Sequence, residues 1–187
     1  GHFPFSPGEI DDVIVTHAHI DHSGRLPLLV KQGFHGKIYA TRETANLCAI
    51  MLADSANIQE KDAEYQTKKN LRAGKEAVEP LYTLQDAENA LELFRPCPYG
   101  QILPVEEGLS IRFTDAGHLL GSASVECFLR EGDREVTVAF SGDVGNTDQP
   151  IIKDPCPLEG ADYLMIESTY GSRHHLKHTI WNPANTI

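Results

Sequence analysis

The sequence predicts an α/β layered domain, and three observations carry that prediction. A short β-branched run, Val13-Ile14-Val15, stands near the start as a strand. A block of helical periodicity follows from Thr41 to Phe94, and from Leu109 onward the apolar period changes to two. Strands on both sides of a helical block fit layers of sheet and helix rather than a bundle.

The first strand is expected to end at Thr16, with His17 to Ser23 as a polar loop. Arg25 to Gln32 reads as a short helix stopped by Gly33, and Lys37 to Ala40 as a second strand. Thr41 caps a helix through Leu47 and Leu52 that continues or restarts after Asp54. The Glu-, Lys- and Ala-rich stretch from Gln59 to Glu79 reads as a solvated helical excursion. Thr83 caps a further helix with Leu84, Ala87, Leu91 and Phe94 at helical spacing, ended by Pro96. Leu109, Ile111 and Phe113 alternate with polar residues as a strand. Ala123 to Leu129 and Glu135 to Phe140 form a hairpin around Glu131-Gly132-Asp133. Ala161 to Ile166 makes the last strand.

With 187 residues, 41% of them hydrophobic and 23% charged, the composition is that of one globular domain with a sizeable core. No apolar run approaches the roughly 20 residues that span a bilayer. The start, GHFPFSPGEIDD, has no initiator Met and no basic segment followed by an apolar one, so a truncated beginning without a signal peptide is expected. The net charge of −11, with scattered Lys and Arg, argues against a basic nucleic-acid-binding surface. Bound metal ions can still supply local positive charge. Cys48, Cys97, Cys127 and Cys156 form no CxxC pair, which disfavours a zinc knuckle and fits a reducing cytoplasm.

The chemistry concentrates in His17-Ala18-His19-Ile20-Asp21-His22, three imidazoles and a carboxylate directly after an apolar strand. In an extended segment His17 and His19 project to one side, and a tighter turn carries Asp21 and His22 to a neighbouring point. Neutral imidazoles with a carboxylate suit Zn²⁺ or a similar divalent ion. His118, in the glycine-flanked turn Asp115 to Ser122, and Asp143, just past Phe140, sit at comparable strand ends. Each alone is a weak signal, but together they describe ligands delivered from the ends of several strands. A carboxylate such as Asp143 can hold two cations roughly 3.5–4 Å apart.

These residues resemble the metallo-β-lactamase superfamily. More narrowly, THAHIDHSGRLP, DAGHLLGSAS, FSGDVG and ESTYGSRHH resemble the β-CASP branch of RNA-processing nucleases, which includes the cleavage-and-polyadenylation nuclease and bacterial ribonucleases. HxHxDH identifies only the superfamily, and Glu167-Ser168-Thr169-Tyr170-Gly171 selects the branch. The likeness runs from about Phe3 to His175. It implies an αββα sandwich that lacks its first strands, its inserted cap domain and its closing C-terminal part. Residues 1–175 would form the partial domain and 176–187 a divergent tail; His174 or His178 could in principle replace an absent last ligand, but tail histidines of this kind are more often exposed and unstructured.

Carried over by position, the resemblance implies that His17, His19 and His118 hold one zinc. Asp21 and His22 hold a second, and Asp143 bridges the two. Asp21 would also orient the nucleophile. Glu167 would be an acid near the departing oxygen, or else a strand-end carboxylate that caps a turn. Ser168, Thr169 and Arg173 would shape the cleft, and Asn57 stands where many relatives carry His. The implied function is RNA phosphodiester cleavage by hydroxide on two zinc ions, with single-stranded RNA as substrate and the fragment alone inactive. Two rivals are a hydrolase of a small ester, thioester or lactam, and a non-catalytic relative that binds RNA or a partner.

Overall fold

The computed structural model describes residues 2–169, 171 and 172. Among them are two sheets. The first is wholly parallel, in the order β1 (Asp12–Ile14), β2 (Lys37–Thr41), β3 (Phe94–Cys97). The second runs β4 (Leu103–Glu106), β5 (Leu109–Asp115), β6 (Ala123–Glu131), β7 (Arg134–Phe140), β8 (Tyr163–Met165). It is antiparallel until β8, which joins β7 in parallel.

Alternation along β2 explains how the layers stack. Ile38 and Ala40 belong to a core shared with the helices α2 (Leu26–Lys31), α3 (Arg42–Arg72) and α4 (Leu84–Glu92). Tyr39, between them, faces a second core with Ile111, Phe113 and Val125 of the other sheet. Helices, sheet and sheet thus follow one another as three layers. The sheets meet at a main-chain hydrogen bond of 2.8 Å, from the Ala123 N–H at the start of β6 to the Thr16 carbonyl just past β1.

Several expectations hold in detail. The Thr41 side chain caps α3, which passes Asp54 unbroken for 31 residues, with no Gly or Pro inside it. Thr83 and Asp86 form a reciprocal capping box on α4. Gly33, at φ +110°, ends the α2 segment, and β6 turns into β7 across Gly132 and Asp133.

Other expectations need correction. Residues Ile20–Ser23 form one helical turn, α1, instead of a loop, secured by the Ser23 hydroxyl donating to the Ala18 carbonyl at 2.8 Å. The excursion after Gln59 is helical only to Arg72, since Gly74 at φ +68° ends α3. Phe94 and Pro96 belong to β3 rather than to the helix before it. A residue preceding proline is pushed toward extended backbone, which favours a strand at Arg95. Among the described residues β3 lies at the sheet edge, where the N–H that Pro96 lacks is not needed. β4 was not foreseen, and β8 is shorter than the predicted strand. The expected boundary at residues 175 and 176 lies outside the described residues.

One charged cluster is held inside the second sheet. The Glu126 carboxylate, 1% exposed, accepts two hydrogen bonds of 2.8 Å from Arg112 and one of 3.2 Å from the Thr114 hydroxyl. Glu159, on the surface, takes a further Arg112 N–H at 2.9 Å. No helix among the described residues is long and apolar enough to cross a membrane. The four cysteines are unpaired, three of them buried.

Candidate metal centre

Three separated loops, each leaving a strand, converge at one end of the sheets. The first follows β1 and carries His17 to His22. The second joins β5 to β6 and carries His118, and the third leaves β7 and carries Asp143. Close approach of the last two depends on Gly145. Its N–H donates to the Ala116 carbonyl at 2.8 Å, and a Cβ there would lie 1.6 Å from the Gly117 carbonyl oxygen.

The donor atoms of His17, His19, His118 and Asp143 all lie within 4.8 Å of one another. His19 Nδ1 is 3.2 Å from both His17 Nε2 and His118 Nε2. Asp143 Oδ2 is 3.6 Å from His17 Nε2 and 3.5 Å from His118 Nε2. Four ligands at about 2.1 Å in a tetrahedron have donor atoms roughly 3.4 Å apart. The four separations just given are close to that spacing, so these residues could hold a single divalent ion.

The other carboxylate oxygen looks the opposite way. Asp143 Oδ1 lies 3.4 Å from His22 Nε2, which is 3.6 Å from Asp21 Oδ2. All six residues singled out as ligands thus fall into two adjoining groups that share one carboxylate.

The His17 ring is in a form that can coordinate a cation. His17 is fully buried, and burial, reinforced by the neighbouring His22, lowers its pKa from 6.5 to about 4. The ring is neutral at physiological pH and free to offer a lone pair. Its Nδ1 lies 3.1 Å from the Thr16 hydroxyl, which can hold that nitrogen's proton and leave Nε2 as the donor.

The lowered value has a consequence for metal-free protein. The unfolded chain binds more protons than the folded one between pH 6.5 and about 4. Stability therefore rises with pH through that window and is flat above it. Acidification from pH 7 to 4 is expected to cost about 3 kcal/mol from this group. Urea midpoints of metal-free protein across that range measure it, and His17→Gln should flatten the slope. An equally steep slope in that variant would contradict the account.

The family model of the metallo-beta-lactamase superfamily matches residues 4–183. The chain belongs to that superfamily. Ribonuclease TTHA0252 of Thermus thermophilus is 39% identical over 173 residues, which cover 92% of this chain and 35% of that protein. Transcription termination factor FttA of Methanococcus maripaludis is 33% identical over 168 residues, 89% of this chain and 24% of that protein. The chain spans about a quarter to a third of the length of these curated relatives. Among solved structures, a B3 metallo-beta-lactamase with an active-site glutamic acid aligns at TM-score 0.44 and 20% identity. The alignment covers 74% of this chain and 43% of that one.

In this superfamily member a cavity of about 480 Å³ opens beside His19, His118 and Asp143. Its far wall includes Asn146, Gln149 and Ile152, none of which sequence reading singled out. Glu167 also lines it. One Glu167 oxygen accepts the Val144 N–H at 2.7 Å and the other the Thr169 hydroxyl at 2.8 Å. The Val144 bond, the largest influence, holds the carboxyl below the usual glutamate range. Of the two readings open for Glu167, these contacts match the turn-capping one, since they tie it to the residue after Asp143. Thr169 lines the cleft as expected, and exposed Ser168 is not among its lining residues. Asn57 sits on the exposed side of α3, away from the cavity lining. Arg173, His174, His175 and His178 lie outside the described residues.

Proposed function

We propose that the whole protein is a zinc-dependent hydrolase of the β-CASP branch, cleaving single-stranded RNA at a site for two ions, with these 187 residues alone inactive. The observation that carries this reading is the division of the Asp143 carboxylate, one oxygen toward His17 and His118 and the other toward His22. A shared carboxylate suits paired ions roughly 3.5–4 Å apart. His17, His19 and His118 would hold the first ion, Asp21 and His22 the second, and Asp143 both. Imidazoles with carboxylates favour zinc among the common divalent ions. Ions held there would supply a water of lowered pKa and positive charge against the phosphate oxygens.

The chain's own groups do the rest. Asp21 is the most exposed carboxylate of the constellation, 76% exposed in its side chain, and can orient an attacking water from the open side. Glu167 fixes the Asp143 loop through its bond to the Val144 N–H and stands at the cavity wall where an acid for the departing oxygen is needed. The names of the relatives, a ribonuclease and a transcription termination factor, support RNA as substrate. So does the ESTYG segment from Glu167 to Gly171. With a net charge of −11, attraction of phosphate has to come from the ions themselves. Unpaired thiols accord with a cytoplasmic setting.

Cleavage of a labelled single-stranded RNA by the whole protein and by its His19→Ala variant, with zinc present and after chelation, tests the assignment. Loss of cleavage to background in the variant is expected. Undiminished zinc-dependent cleavage would reject it, and hydrolysis of a thioester panel without any RNA cleavage would reject the substrate class.

A further inference from the structure

We propose that two buried hydroxyls, those of Ser122 and Thr44, are positioning residues for His118, presenting its imidazole to the His17–His19–Asp143 group. The proposal rests on the metal reading above. His118 lies between β5 and β6, where no ladder supplies partners for its main chain. A loop so placed is ordinarily free to drift. Here it is tied at several points.

The Ser122 hydroxyl, fully buried, accepts the N–H of His118 at 3.0 Å and that of Leu119 at 3.2 Å. The Ser122 N–H donates to the Leu119 carbonyl at 3.0 Å. The Ser122 carbonyl accepts the Ala116 N–H at 3.1 Å and the Tyr99 hydroxyl at 2.8 Å. One residue earlier, the Gly121 carbonyl receives two hydroxyls from the first turn of α3, Thr41 at 2.6 Å and Thr44 at 2.8 Å. Gly121 has φ +84°, and a Cβ there would lie 2.4 Å from the Thr44 nitrogen, so only glycine permits this contact.

Hydrogen bonds therefore tie Gly121 to the core helix α3 and the main chain of His118 to Ser122, and the peptide bond between Gly121 and Ser122 joins the two. Buried hydroxyls are costly unless paired, and each of these is spent on this loop. The precision matters because a ligand bond of about 2 Å is lost when its donor moves by a fraction of that length. Thr41 also caps α3, so its removal would mix two effects. Among the described residues the Thr44 hydroxyl has the Gly121 carbonyl as its partner, which makes it the cleaner probe.

Titration with Co²⁺, followed by visible absorption and by the dissociation constant, tests the proposal. Ser122→Ala should weaken binding by about 10–100-fold and alter the absorption band, as loss of an outer partner does at other metal sites. Thr44→Val, which conserves shape, should weaken it about tenfold, and Thr44→Ser should restore wild-type affinity and spectrum. Wild-type affinity and spectrum in Thr44→Val would overturn the proposal, as would failure of Thr44→Ser to rescue. If Ser122→Ala does not fold by circular dichroism, the Thr44 pair decides alone. His118→Ala separates the two levels. If it binds Co²⁺ like wild type, or wild type binds none, the metal reading falls and takes this proposal with it.

Discussion

Substituting Asp143 by alanine is expected to weaken both proposed ion positions at once. Four-ligand zinc sites are worth about 10–16 kcal/mol in apparent binding energy, so one ligand in four carries roughly 3 kcal/mol, on the order of a hundredfold in affinity. The first group would lose one of its four close donors. The second would keep only His22 and Asp21, whose side chain is largely exposed. The greater loss is therefore expected at the second position. Zinc content after dialysis against a metal buffer, together with a competition titration, measures both. Asp143→Asn retains an oxygen but not the charge and should fall between. Two zincs held at wild-type affinity in Asp143→Ala would remove the shared-carboxylate idea.

Arg112→Met is expected to destabilise the fold by about 3–5 kcal/mol without touching the metal centre. The change leaves the Glu126 carboxylate, 1% exposed, with only the Thr114 hydroxyl. Against a typical total of about 5–15 kcal/mol, that loss is large. Removing both charges in Arg112→Met/Glu126→Leu should recover most of it, because a buried pair and a packed apolar pair are near equals in energy. Glu159, 79% exposed, contributes little of the effect, and Glu159→Ala should be almost silent. Denaturant midpoints for the three variants check the pattern. A double variant no more stable than the single one would show that the pair does more than neutralise itself.

How much of this could be read in advance depended on distance along the chain. His17 to His22 is consecutive, so the cluster was visible at once. His118 and Asp143 were legible as strand-end residues beside glycines, and resemblance supplied their grouping. The hydroxyl contacts that hold the His118 loop were not legible. Thr41 and Thr44 reach Gly121 across 80 and 77 residues, and no local pattern encodes such a meeting. β3 was hidden for a different reason. The apolar spacing of α4 runs on into Phe94, and Pro96 reads as a helix stop when it is an edge-strand residue. β4, with Pro104 inside it and few apolar residues, gave too short a period to recognise.

The hydrogen bond between Ala123 and Thr16 joins the two sheets immediately beside His17. The ring nitrogens of His19 and His118, 99 residues apart in sequence, stand 3.2 Å apart beside that seam. An ion held by side chains from both loops would bind only where those loops stand together, so metal in the medium would favour the folded arrangement by mass action.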